Sequence, residues 1–281
     1  GRVLLWAGSI GMTGAATLAG KAALRGGAGL VYLAAPPSLR PALEPKLEEV
    51  IIKDIPELEP GEIGPGAVEE LLQLAGGCQV FAIGPGLDPF PGSDRLLEKI
   101  LRESPVPLVL DAGALAMLSG NPESLRECGQ PVIITPHPGE MARLTRLTTA
   151  GVQGSRLELA RHRARDWHCT LILKGARTIV ATPAGKVYFN PTGSPALATA
   201  GAGDLLTGLV AALVAQGMTA EKAARAGVYL HGLAGDLLPA RGAMAGDLLG
   251  KFARAFQLVE KAELECSPYG PNHRRVRPNL A

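Results

Sequence analysis

The run Ala198-Thr199-Ala200-Gly201-Ala202-Gly203-Asp204-Leu205-Leu206-Thr207-Gly208 carries the sharpest chemical signal in this chain. Small residues let a backbone approach a ligand closely, and an apolar helix is predicted just after them. The free N–H groups of such a helix start, with its dipole, favour phosphate oxygens. Gly201, Ala202 and Gly203 would form the anion hole. Asp204, in the first turn, would accept a proton from a substrate hydroxyl while the N–H groups hold the phosphoryl charge. An aspartate capping a buried Gly/Ala-rich helix gives the same pattern, so alone it serves either reading equally.

Its company shifts the balance. Lys174-Gly175-Ala176-Arg177-Thr178 follows an apolar strand and offers a cation, a flexible turn and a hydroxyl to a nucleotide. Thr135-Pro136-His137-Pro138-Gly139-Glu140 follows another strand, and its prolines fix the backbone that aims His137 and Glu140. Ile83-Gly84-Pro85-Gly86-Leu87 is a glycine turn suited to close approach, and Asp111 ends a further strand with a carboxylate. Each has a plain alternative: a solvated turn lysine, a structural histidine, an ordinary turn, an N-cap for a short helix. Together they point to one crevice at the carboxyl edge of a sheet.

The elements needed to build that edge can be read from the sequence. Short Leu-rich or β-branched runs predict strands near 2–7, 29–34, 79–83, 108–111, 132–135, 170–174, 178–181 and 187–189. Ala/Leu/Glu/Arg stretches predict helices near 13–25, 68–75, 94–102, 139–144, 156–166, 203–216, 220–238 and 248–262. Alternation of the two predicts a three-layer α/β/α domain with a mainly parallel sheet. Pro183-Ala184-Gly185 predicts an edge hairpin. The helix with Tyr229, His231 and Asp236 reads as packing.

Composition narrows the class. With 281 residues, 47% hydrophobic and 19% charged, the chain can bury a large core. A net charge of +2 lacks the concentrated basic field of a nucleic-acid binder. The opening Val3-Leu4-Leu5-Trp6-Ala7 is too short to span a membrane and has no signal-peptide layout, so a cytoplasmic enzyme is expected. Cys78, Cys128, Cys169 and Cys266 are scattered, which argues for thiols rather than a metal cage or disulfide framework. One domain over 1–265 and a mobile tail over 266–281 are expected. The abrupt start would fit a domain cut from a longer protein.

These residues resemble the ADP/ATP-dependent NAD(P)H-hydrate dehydratases, of the ribokinase-like superfamily. The resemblance rests on Gly8-Ser9-Ile10-Gly11-Met12-Thr13-Gly14-Ala15-Ala16, Ala22-Ala23-Leu24-Arg25-Gly26-Gly27-Ala28-Gly29-Leu30, Gly84-Pro85-Gly86-Leu87, Thr135 to Glu140, Lys174-Gly175-Ala176, Gly201 to Asp204, and Tyr229-Leu230-His231-Gly232. It implies a ribokinase-like fold in which Ala15, Gly86, His137 and Asp204 contact the hydrated dinucleotide. Lys174, Gly175, Ala176, Arg177, Thr178 and Gly203 would hold the adenine nucleotide. The implied reaction phosphorylates the C6 hydroxyl of hydrated NADH or NADPH from ADP, or ATP, with Mg²⁺, and then eliminates phosphate. No dedicated metal site is implied. A homo-oligomer, a tetramer included, and an epimerase, fused or separate, are the implied partners.

Two segments depart from the family pattern: Ala202 stands where Thr or Ser is usual, and Gly193-Ser194-Pro195-Ala196-Leu197-Ala198 replaces a Gly-Asn-Pro-Gly-Met-Ala block. Two rival readings remain. A vitamin-alcohol kinase of the same superfamily would leave a stable phosphate ester. A non-catalytic nucleotide-binding protein would bind without turnover.

Overall fold

The computed structural model describes residues 1–266, so the tail expected beyond them lies outside the described residues, and Cys266 closes the last helix. The strands are β1 Arg2–Trp6, β2 Leu30–Ala35, β3 Ile51–Asp54, β4 Val80–Ile83, β5 Leu108–Leu110, β6 Val132–Ile134, β7 Thr170–Leu173, β8 Ile179–Ala181 and β9 Val187–Phe189. They form one sheet in the order β3-β2-β1-β4-β5-β6-β7-β8-β9. β1 to β7 pair in parallel. β7, β8 and β9 pair antiparallel, which makes the expected edge hairpin.

The parallel strands read as unbroken apolar runs because helices cover both faces. Side chains alternate across β1: Val3 and Leu5 enter one core, Leu4 and Trp6 the other. The first core lies under α1 Thr13–Arg25, α2 Arg40–Leu43, α9 Ala202–Ala215, α10 Ala220–Asp236 and α11 Ala245–Cys266. The second lies under α3 Ala67–Gly76, α4 Ser93–Glu103, α5 Gly113–Met117, α6 Pro138–Thr145, α7 Thr149–Gly154 and α8 Arg156–Asp166. Burying each Leu or Val of these faces contributes about 1.5–3 kcal/mol.

Helix α9 is apolar on every side, and almost all of it is buried. It packs against α1 through small residues. At Gly208 an added Cβ would lie 2.1 Å from the Ala19 carbonyl oxygen, so only glycine permits this approach. That close contact fixes where α9 begins, and its beginning is where the anion hole was expected.

The strand order reverses between β1 and β4, with β2 and β3 on one side and β5 onward on the other. A ligand crevice forms at such a switch point, beyond the carboxyl ends of the strands. β3, α2 and α7 were not expected from the sequence.

Candidate active site

The strand ends beyond β1, β4, β5, β6 and β7 meet the start of α9 at this crevice. Gly8 donates its N–H to the Pro85 carbonyl at 2.8 Å, which ties the loop after β1 to the turn after β4. An added Cβ on Gly86, where φ is 66°, would lie 2.8 Å from Ala15 Cβ and 2.7 Å from the Met12 carbonyl oxygen. Ala15 and Gly86, two expected substrate contacts, are therefore side by side. Gly84, at φ 127°, backs onto the Asp111 carbonyl, where a Cβ would lie 1.7 Å from the oxygen. Its glycine serves chain packing rather than ligand approach.

Asp111 is buried at the end of β5, and its side chain does not cap α5. It accepts from Lys174 Nζ at 2.8 Å through Oδ1 and from Thr207 Oγ1 at 2.8 Å through Oδ2. Lys174 Nζ also lies 3.7 Å from Glu140 Oε2. Burial opposes its charge, but Asp111, Glu140 and Asp204 outweigh that, and the ammonium is held above its ordinary range.

His137 is the N-cap of α6 and half-exposed. Its Nδ1 accepts from the N–H groups of Gly139 and Glu140 at 3.0 and 3.3 Å, while Glu140 Oε2 accepts from the His137 N–H at 2.7 Å. This is a capping box with histidine in the Ser/Thr place. With Nδ1 committed as an acceptor, the neutral ring carries its proton on Nε2 and offers a donor to a ligand.

Gly201, at φ 89°, is the N-cap of α9, so Asp204 stands at its third position as expected. The Ala202 N–H already donates to the Thr199 carbonyl at 3.3 Å. The N–H groups of Gly201, Gly203 and Asp204 have no carbonyl partner among the described residues, so of the expected anion-hole donors Gly201 and Gly203 are free and Ala202 is not. His231, assigned to packing, does more: its Nε2 lies 2.9 Å from the Ala202 carbonyl and steadies the helix start. A carbonyl only accepts, so Nε2 carries the proton. Burial, with Lys174 nearby, pushes the ring down to about 4 and keeps it neutral.

Asp204 is partly buried. Burial first, and the negative charge of Asp111 next, push its carboxyl up to about 7 despite the opposing Lys174 charge; Glu140 adds to the rise. A carboxyl that exchanges its proton near neutral pH suits a general base.

Beside Lys174 lies a cavity of about 390 Å³ bordered by the loop from Lys174 to Thr178, by Thr192 to Pro195, and by Gly203 and His231. Gly175, Ala176 and Arg177 are exposed in it, whereas the Thr178 hydroxyl donates within the turn to the Gly175 carbonyl at 3.0 Å. Arg156, which no sequence motif marks, braces this loop by donating to the carbonyls of Leu173, Lys174 and Ala176. A larger hollow of about 840 Å³ lies under the β8–β9 hairpin, away from Asp204 and Lys174; at its edge Tyr188 Oη donates to Glu221 at 2.6 Å. Among the described residues no three His, Cys, Asp or Glu side chains gather to hold a metal ion.

The family model for NAD(P)H-hydrate dehydratase matches residues 3–257. The chain belongs to that family. A bifunctional NAD(P)H-hydrate repair enzyme of Moorella thermoacetica is 47% identical over 253 residues, covering 89% of this chain and 48% of that protein. The chain thus spans about half the length of the first such relatives. An ADP-dependent (S)-NAD(P)H-hydrate dehydratase of Xanthomonas campestris is 37% identical and covers 86% of this chain and 81% of its own length. The structure of the ADP/ATP-dependent dehydratase of Bacillus subtilis, co-crystallized with ATP and Mg²⁺, superposes with a TM-score of 0.77. It is 30% identical and covers 92% of this chain and 89% of its own. The NAD(P)H-hydrate dehydratase fold, ribokinase-like with its antiparallel edge, is the one observed here. Among the described residues no helix is long and apolar enough to cross a membrane.

Proposed function

We propose that this domain restores hydrated NADH and NADPH by phosphorylating the C6 hydroxyl and then eliminating phosphate. ADP is the proposed donor, with ATP the alternative; the name of the Xanthomonas relative supports the first and the Bacillus co-crystal the second. The observation that carries the reading is the meeting of Asp204, Lys174 and the free N–H groups of α9 between a nucleotide-sized cavity and the Ala15–Gly86 contact.

A hydroxyl is a poor leaving group, and phosphorylation converts it to a good one. Asp204 takes the hydroxyl proton as the oxygen attacks the terminal phosphoryl group. The N–H groups of Gly203 and Asp204, with the Lys174 ammonium, hold the charge of the transferring group. The C6–O bond then breaks with its electron pair going to phosphate, and loss of a C5 proton completes the dihydronicotinamide ring. The His137 Nε2–H and the buried, unpartnered Ser9 Oγ are available to the dinucleotide. The residues from Lys174 to Thr178, with Gly203, hold the adenine nucleotide.

The residues present do not make a site for Mg²⁺ on their own. Both Asp111 oxygens and Glu140 Oε2 are engaged, and the ion would enter on the nucleotide phosphates. Residues 1–265 as a single domain, a homo-oligomer such as a tetramer, action in the cytoplasm and pairing with an epimerase belong to the same proposal. The bifunctional Moorella relative supports the last.

The test is to mix the chain with hydrated NADH, Mg²⁺ and ADP or ATP and follow dihydronicotinamide absorbance. Nucleotide-dependent recovery is expected. A stable phosphate ester instead would mark a kinase, and nucleotide binding without turnover a binding protein.

A further inference from the structure

The pairing of Asp111 carries an inference beyond the acid, the anion hole and the nucleotide loop. A buried carboxylate is costly to keep unless partners repay its lost hydration. Asp111 has two such partners, from elements far apart in sequence: Lys174 at the end of β7 and Thr207 in the second turn of α9. The next residue, Ala112, sits at φ 45° and ψ −111°, a conformation alanine rarely adopts. Strain of that kind persists only where the surroundings over-determine it, and here it lies beside the aspartate.

The surroundings favour a role in the reaction over simple bracing. An ion pair kept for stability alone can be sealed away. The Lys174 side chain instead keeps 19% of its surface exposed, borders the nucleotide cavity, and has its Nζ 3.2 Å from where a Gly203 Cβ would stand. It thus stands between the cavity proposed for the nucleotide and the first turn of α9. Asp111, Glu140 of α6 and Lys174 are the charged groups that bear on Asp204. The neutral His231 of α10 bonds to the Ala202 carbonyl, His137 caps α6 with its Nε2 3.6 Å from Glu140 Oε1, and Arg156 of α8 engages the carbonyl side of the Lys174 loop.

We propose that Asp111 is a positioning residue for the transfer step: its carboxylate ties the Lys174 ammonium to α9 at the point where the phosphoryl group changes partners. Its negative charge also makes Asp204 hold its proton more tightly. The inference rests on the reading of Asp204 as the proton acceptor.

Asp111→Asn keeps the shape and removes the charge. In protein labelled with ¹³C at the aspartate carboxyls, the Asp204 resonance is identified by its loss in Asp204→Asn. In Asp111→Asn its titration midpoint is expected to fall by about one pH unit, because a like charge has gone. The acid limb of kcat moves the same way, and kcat falls about 10- to 100-fold, as when the partner that orients an active-site group is lost. Thr207→Val keeps the charge and loses one bond, so kcat falls about three- to tenfold with the acid limb in place. It covers the case in which Asp111→Asn does not fold. An unmoved Asp204 midpoint in folded Asp111→Asn, or full kcat in either variant, would overturn the proposal. The carboxyl titration needs no turnover, so wild-type protein that leaves hydrated NADH untouched defeats the dehydratase reading alone.

Discussion

Replacing Asp204 by Asn should remove activity and raise stability at the same time. The carboxyl titrates near 7 in the folded protein against an ordinary 3.8, chiefly because burial disfavours its charge. The folded state therefore binds this proton more tightly than the unfolded chain does. The cost of ionising Asp204 is absent below about pH 4, accumulates as pH rises through the folded value, and is constant above it. Asn has no such cost. Between pH 5 and pH 8 the wild type should thus lose ground to Asp204→Asn. Two pH units of titration at about 1.4 kcal/mol each give a ceiling of about 3 kcal/mol, which residual hydration reduces. Urea unfolding of both proteins at the two pH values measures this directly. The same variant should lose about 100- to 10,000-fold in kcat, the span typical of a missing general base. Equal stability differences at pH 5 and pH 8 would refute the view of Asp204 as a desolvated carboxyl. Intact turnover would refute it as the base.

Lys174→Met should leave the buried Asp111 and Glu140 carboxylates without their cation, at a cost of about 3–5 kcal/mol in urea unfolding against the wild type. His137→Asn keeps a strong cap but removes the Nε2–H, so thermal stability should hold while KM for the hydrated dinucleotide rises. His137→Ala should also lose about 1 kcal/mol of stability with the cap.

The sheet was legible because its central strands are unbroken apolar runs with glycine turns after them, and β1, β4 and β7 fall within a residue or so of expectation. β3 escaped because Ile51-Ile52-Lys53-Asp54 offers only two apolar residues and pairs on one side alone. The site's segments were legible for a related reason: glycine and proline at strand ends mark where backbone must turn sharply. Asp111 was not. Its sequence neighbours allowed a cap or a ligand role, while its actual partners stand 63 and 96 residues away. His231 was hidden likewise, since only the packing of α10 onto α9 brings its ring to the Ala202 carbonyl. The cap at His137 was within reach, because Pro138 and Glu140 occupy the first and third helical positions that a capping box requires.

In the proposed mechanism the C6 oxygen leaves as part of phosphate. Hydrated NADH carrying ¹⁸O in its C6 hydroxyl, turned over once with ADP and Mg²⁺, tests this by mass spectrometry of the products. The mechanism predicts one ¹⁸O in each released phosphate and none in the water. Label in the water, with unlabelled phosphate, would mean that the hydroxyl departs without being phosphorylated, and would contradict the account.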